Sequence, residues 1–146
     1  MLVRVRSATV LGVSAIPVDV EVDASQGMPH TRVVGLPGTG VQESRVRVAA
    51  AIKNLGVKLP SKRITINLAP ADLRKAGPSY DLPIAIGVLA ASQQLKVDDL
   101  NNALIVGELG LDGAVRHIRG VISVAALARE RQSRCPLEPV LGSFPY

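Results

Sequence analysis

Cysteine and aromatic residues are scarce in this chain, and both shortages restrict the kind of fold that it can form. Its 146 residues include one cysteine, two tyrosines, one phenylalanine and no tryptophan. The single cysteine, Cys135, excludes an internal disulfide and is typical of a reducing compartment. Hydrophobic residues still make up 47% of the chain. The core must therefore consist of valine, isoleucine, leucine and alanine, which favours a layered α/β protein.

The sequence also lacks any continuous apolar run of about 18 residues, so it predicts no membrane span. The first residues, Met1–Arg6, alternate charged and apolar side chains. That pattern indicates a half-buried strand and not a secretory signal. Together these features predict a cytoplasmic location.

Motifs for metals, nucleotides and common hydrolytic chemistry are missing as well. The segment Gly35–Gly40 stands between a predicted strand and a predicted helix, but Val41 and Gln42 follow it where a phosphate loop needs lysine and then serine or threonine. We interpret this segment as a structural turn. His30 and His117 stand alone, and no acidic group has the spacing of metal ligands. The sequence therefore predicts no cofactor and no metal for this chain.

The net charge of +5 favours polyanionic partners only weakly, because the basic residues are scattered. A solvated surface is the simpler interpretation. Candidate contacts to a nucleic acid are Arg45, Arg47, Lys62 and Arg63, which would have to converge in space. Stacking of bases on aromatic side chains is disfavoured by the shortage of aromatic residues.

Alternating polar and apolar residues predict three strands near the N-terminus, at Val3–Val10, Pro17–Asp23 and Thr31–Gly35. The links between them are short, which predicts an antiparallel meander. Two further strands are predicted at Lys62–Asn67 and Ala103–Val106.

Hydrophobic spacing predicts three helices. The first follows Thr39, which has the capping-box spacing to Gln42, and it ends at Gly56. The second runs from about Tyr80 to Gln93 and is apolar on all sides, so it should be buried. The third, Val121–Arg131, follows a hairpin that is predicted around an Asp-Gly turn in residues 109–118.

The segment Arg74–Val88 brings a serine from a polar Gly-Pro turn to the start of the buried helix, and Gly107–Gly113 and Arg119–Ile122 follow it. This order resembles the proteolytic domain of Lon-type proteases. In those enzymes the serine of the turn attacks the peptide, and a later lysine activates it. The resemblance matches Ser79 to the nucleophile and Ile122 to the lysine.

Ser79 is thus a degenerate nucleophile position, because a serine hydroxyl needs a positioned base. Arg116 and Arg119 stay protonated and cannot supply one. His117 could do so only if the hairpin brought it within hydrogen-bonding reach. A simpler role for Ser79 is to cap the buried helix, with Asp81 as a rival for that role. We predict no catalytic residue.

Residues 1 to about 131 resemble the N-terminal domain of the magnesium-chelatase-like AAA+ family that includes competence protein ComM and the YifB proteins. The matching segments are Val34–Pro37, Glu43–Arg45, Arg63–Arg74, Gly77–Ala85 and Val106–Leu109. The resemblance implies a fold like the second domain of ribosomal protein S-five, as in Lon proteases and GHMP kinases. That fold is α/β (α+β), with a mixed sheet and about three main helices.

The resemblance also implies an organisation and a function. Residues 1–134 form the domain, and residues 135–146 form an irregular tail at a truncation point before an absent AAA+ ATPase module. That module binds ATP and magnesium in a hexamer, which drives branch migration of DNA during natural transformation. We therefore expect a non-catalytic accessory domain whose partners are the ATPase module, DNA and further copies of the protein. The alternatives are a Lon-like serine peptidase using Ser79 and a stand-alone nucleic-acid-binding module.

Overall fold

The computed structural model describes residues 1–96, 98 and 100–132 of the chain. The predicted tail at 135–146 lies outside the described residues. Strands and helices alternate as expected for an α/β protein, and the described residues contain three α-helices and a mixed four-stranded sheet. The elements are β1 (Leu2–Leu11), β2 (Ser14–Ser25), β3 (His30–Val34), α1 (Thr39–Asn54), β4 (Arg63–Ala69), α2 (Asp81–Ala91), β5 (Glu108–Leu109), β6 (Val115–Arg116) and α3 (Val121–Gln132).

The order of strands in the sheet is β1-β2-β4-β3, so the predicted meander of the first three strands is wrong. Strands β1 and β2 form the expected antiparallel hairpin. Strand β4 then inserts beside β2, and β3 pairs with β4 in parallel. The reason is the connection: α1 lies between β3 and β4, and a helical crossover returns the chain in the same direction. Short links alone could not reveal that a later strand would take the place beside β2.

Alternation along the strands gives the sheet one buried and one open face. Val20 and Val22 of β2 are buried opposite Leu68 and Ile66 of β4, and Val18 and Ile64 are buried on the same face. This face is covered by α1 and α2, and Gly87 of α2 lies directly against the Val22 side chain. Burying such aliphatic side chains contributes about 1.5–3 kcal/mol each.

The opposite face of the sheet, which we call the open face, carries charged and amide side chains. Glu21 of β2 lies at its centre. It accepts a hydrogen bond of 2.8 Å from Asn67 Nδ2 and an ion-pair contact of 3.4 Å from Arg4 Nη2. Helix α3 packs over part of this face: near the first hairpin, Gly120 contacts Val10 and Ser123 Oγ donates to Val13 O at 2.8 Å.

Helix α1 begins and ends close to its predicted limits, but the predicted cap is wrong. The N-cap residue is Gly38, and no side chain caps the helix. The Gly38 N–H donates to Lys75 O at 2.8 Å, so a neighbouring loop fixes the helix start instead of Thr39. Gly56 has a φ of +77° just after the helix and ends it, as expected.

Two predictions at the C-terminal side of the domain have different outcomes. The Asp-Gly hairpin is confirmed as β5 and β6, which pair in antiparallel fashion. Residues 103–106 were predicted as a strand, but they form none. They run beside the edge of β1, where the Ile105 N–H donates to Arg6 O at 2.8 Å. One bond of this kind does not make a ladder, so apolar composition misled the prediction.

Gly35 provides a stringent test of this packing. Its φ is +94°, and a Cβ added there would lie 2.1 Å from Leu68 O. We expect Gly35→Ala to lower the free energy of unfolding by more than about 3 kcal/mol. The new Cβ would force the backbone at Leu68 to move, and alanine would also be strained at this positive φ. Gly12→Ala is the matched control, since Gly12 has a φ of +62° with nothing within 4 Å. It should cost only about 1 kcal/mol in denaturant unfolding. Equal losses would contradict this account.

Candidate functional site

Ser79, the matched nucleophile position, lies in the loop between β4 and α2. The main chain holds it firmly: the Gly107 N–H donates to Ser79 O at 2.9 Å, and the Leu82 N–H donates to Gly107 O at 3.0 Å. Ser79 is half-buried. The N-cap of α2 is Tyr80, without a side-chain cap bond, so the predicted capping role of Ser79 is wrong. Within the described part of the chain, no side chain forms a hydrogen bond with the Ser79 hydroxyl.

Ile122, at the position that matches the Lon lysine, points into solvent. Its side chain is 87% exposed in the first turn of α3. Helix α3 packs on β1 and β2. This position therefore supplies neither a base nor a contact to the core.

Lys75 is the buried cation of this region, and sequence reasoning missed it. Its side chain is fully buried, and Nζ donates to the carbonyls of Gly35, at 2.8 Å, and Pro70. Burial lowers the Lys75 pKa, and the charge of Asp72 partly offsets this. A lysine with a lowered pKa can act as a general base, but here the amine is aimed at two backbone carbonyls.

The backbone of Lys75 joins the same loop. Its N–H donates to Leu36 O at 3.3 Å, and its carbonyl accepts from Gly38 N at 2.8 Å. Leu36 has a φ of +58°, a strained conformation for a side chain of that size. Lys75 thus holds the turn that leads into α1, in agreement with a structural role for Gly35–Gly40.

Asp81 is the centre of a buried ionic cluster that joins α1 to α2. The carboxylate is fully buried. Arg47 binds it in a bidentate manner, with Nε 2.7 Å from Oδ2 and Nη2 3.0 Å from Oδ1. Ser44 Oγ donates to Oδ1 at 2.5 Å, and the Leu109 N–H donates to Oδ2 at 3.1 Å. In all four hydrogen bonds the carboxylate oxygens accept, so each oxygen of this buried group has two hydrogen-bond donors.

Arg47 and Glu43 stand four residues apart on α1, a spacing that by itself favours an ion pair on the solvent side of the helix. The pair exists at 3.4 Å, but the Arg47 side chain is only 19% exposed and its main partner is Asp81. The hydrogen bond to Asp81 raises the Arg47 pKa despite the opposing effect of burial. The signal that could have revealed this cluster is the charge of Asp81 at the start of a helix that is otherwise apolar.

Tyr80, next to Asp81, is also fully buried. Its hydroxyl has no well-aligned hydrogen-bond partner among the described residues, although Thr9 lies close enough to moderate its acidity. Burial raises the Tyr80 pKa, which keeps the phenol neutral at physiological pH.

The four candidate nucleic-acid contacts differ in exposure and in their partners. Arg47 is bound to Asp81. Arg45 is exposed and donates to Thr31 O at 3.1 Å, at the edge of the sheet. Lys62 is half-buried before β4, and Arg63 is exposed over the turn at Gly27. Arg45 and Arg63 are therefore the members of the set that a ligand could reach most easily.

Two further features of the described residues concern metal sites and membrane spans. Within those ranges, no three histidine, cysteine, aspartate or glutamate side chains are grouped to hold a metal ion. None of the helices that the structure describes is both long enough and apolar enough to cross a bilayer.

Removal of Arg47 tests the ionic cluster. We expect Arg47→Leu to lower the free energy of unfolding by about 3 kcal/mol, because it leaves a buried carboxylate without its counter-charge. The double variant Arg47→Leu with Asp81→Asn should be more stable than Arg47→Leu alone, since the stranded charge is gone. Glu43→Gln, which removes an exposed partner, should cost less than about 0.5 kcal/mol. A double variant no more stable than Arg47→Leu in denaturant unfolding would contradict the role of the charge.

Comparison with known proteins places this geometry in a family. Residues 20–139 match the family described as subunit ChlI of Mg-chelatase. The chain is 54% identical to the uncharacterized protein YifB of Escherichia coli over 87% of its length, and 48% identical to competence protein ComM of Haemophilus influenzae over 91%. It spans about a quarter of the length of each, 25% and 26% respectively.

A more distant similarity agrees with the resemblance to Lon. The chain is 25% identical to Lon protease 2 of Bacillus subtilis over 86% of its length and 25% of that protein. The predicted α/β fold with a mixed sheet and three main helices is confirmed. The chain belongs to the Mg-chelatase ChlI-like family, together with YifB and ComM.

Proposed function

We propose that this chain is a non-catalytic accessory domain of a ComM-like, Mg-chelatase-related AAA+ protein. The observation that carries the proposal is the pair of positions at which a Lon-type dyad would lie. Ser79 has a hydroxyl without a hydrogen-bonded base among the described residues, and Ile122 is 87% exposed. In this proposal the domain is a scaffold. Lys75 and Asp81 stabilise its loops and helices through their hydrogen bonds and take no part in catalysis.

The size of the relatives supports the same proposal. Since the chain spans about a quarter of YifB and ComM, most of those proteins lies outside it. In this proposal the domain comes first in a longer cytoplasmic protein, residues 1–134 form the domain, and an ATPase module that binds ATP and magnesium follows. The full-length protein assembles as a hexamer and moves branched DNA during natural transformation.

A serine-reactive fluorophosphonate probe separates this proposal from a Lon-like peptidase. We expect wild type and Ser79→Ala to be labelled equally weakly, because nothing removes the proton from the Ser79 hydroxyl. Ser61→Ala, at an exposed serine, is the matched control. The 146-residue chain should also hydrolyse no ATP. Labelling that is lost in Ser79→Ala alone, or ATP turnover by this chain, would refute a non-catalytic domain.

Contact with DNA is a second part of the proposal, and exposure favours Arg45 and Arg63 as the contacts. We expect binding of a branched DNA to weaken with added salt, and the combined Arg45→Gln and Arg63→Gln variant to reduce the slope of log K against log salt by about 2. Arg129→Gln, at an exposed residue of α3, is the control. An unchanged slope in the double variant would remove these two residues from the interface.

A further inference from the structure

Strand β3 lies at the edge of the sheet, and its outer side has no strand partner. In the described chain β3 pairs with β4 alone. Strand β1, at the other edge, is partly covered by the 103–106 segment, in which the Ile105 N–H donates to Arg6 O. An uncovered edge strand presents backbone N–H and C=O groups that can pair with another chain.

The bonding pattern of the sheet shows which groups of β3 face outward. Met1 and Ala24 exchange two hydrogen bonds, of 2.7 Å and 3.2 Å, so Ala24 is turned towards β1. Alternation then turns Asp23 towards β4, where it faces Thr65 in a bonded antiparallel pair. The neighbours of Thr65 in β4 are therefore turned towards β3.

In a parallel pair, the residue opposite Thr65 bonds to the two neighbours of Thr65. That residue is Arg32. The backbone of Arg32 is thus used within the sheet, and the N–H and C=O groups of Thr31 and Val33 point outward. The hydrogen bond of 3.1 Å from Arg45 Nη1 to Thr31 O confirms this independently, because α1 can reach only an outward carbonyl.

The surroundings of this edge are positively charged. Arg32 and Arg45 are exposed, with Arg32 on the open face and Arg45 on the helix side. Strands β3 and β4 contain no acidic residue. Glu43 of α1 is directed to Arg47 at 3.4 Å. A strand added here would meet basic side chains on both of its faces, so acidic side chains would be matched on either face.

A second copy of the same edge is a poor partner for it. Pairing β3 with β3 in the register that places Arg32 opposite Arg32 of the other copy would bring like charges together, which destabilises a sheet. The acidic strand of this chain is β2, with Asp19, Glu21 and Asp23, but β2 already pairs on both sides. The partner must therefore be a different segment.

We propose that the outer edge of β3 pairs with an extended, acidic segment of a partner protein, which adds a strand to the sheet. Backbone bonds to Thr31 and Val33 provide the affinity, and Arg32 with Arg45 selects acidic side chains. A donor from the incoming strand replaces Arg45 at Thr31 O, which frees that guanidinium for a carboxylate. The inference does not depend on attachment to an ATPase module or on contact with DNA.

Amide hydrogen exchange of the 146-residue chain tests the proposal directly. The probe is an acetylated and amidated peptide of four Thr-Glu repeats. In the free chain, the amides of Thr31 and Val33 should exchange quickly and that of Arg32 slowly. At saturating peptide, exchange at Thr31 and Val33 should slow by at least about tenfold, with Arg32 unchanged. A peptide of the same sequence with every backbone nitrogen methylated has no N–H to donate on either edge, so it cannot complete the ladder and should give no protection.

Charge reversal provides the second arm. Arg32→Glu should weaken binding of the acidic peptide by about tenfold and favour a Thr-Lys peptide instead, while Arg129→Glu should leave the affinity unchanged. The proposal fails if the acidic peptide protects neither outward amide, or if the methylated peptide protects them equally well. It also fails if the two amides are protected only by single-stranded DNA, or by raising the protein concentration without peptide.

Discussion

The packing of the two helices over the sheet depends on one buried carboxylate. Asp81 is the first residue of α2, and its charge is met by Arg47 and Ser44 of α1 and by the backbone of Leu109 at the start of β5. A buried charge is costly unless its hydrogen bonds are complete, so these partners must assemble together or not at all. The cluster therefore fixes α1, α2 and the hairpin relative to one another, and it sets the position of Ser79 two residues earlier.

A second buried charge, that of Lys75, fixes two loops relative to each other, as Asp81 fixes the two helices. Lys75 joins the turn after β3 to the loop after β4 through its own backbone and its ammonium group. The strained Leu36 and the close approach of Gly35 to Leu68 are held by these bonds. Apolar packing has no preferred direction, so it does not define the geometry of these loops. The hydrogen bonds of the two buried charged groups, Lys75 and Asp81, are directional and do define it.

These contacts occupy several of the polar groups in the loop and helix around Ser79. The Lys75 ammonium group donates to backbone carbonyls, and the Asp81 carboxylate is bound by Arg47. The backbone of the loop is itself held by a hydrogen bond from the Gly107 N–H to Ser79 O. Ile122, which the sequence predicts to match the lysine, lies in solvent. Among the described residues, the basic sheet edge and the open face are exposed polar surfaces of the domain.

The sequence by itself determined the local elements and the family. Alternation in β2, the apolar run of α2 and the Asp-Gly turn of the hairpin all arise from interactions between near neighbours, and the long family segments identified the scaffold. Tertiary structure alone decided that β4 separates β2 from β3, that the 103–106 segment forms no strand, and that Arg47 turns inward to Asp81. The contact of Arg47 with Asp81 joins residues more than thirty positions apart. The two outcomes in the sheet depend on which segments pair at the edges of β1 and β2. Residue spacing contains no information about such partners, because a buried charge or a free edge exists only after the chain has folded.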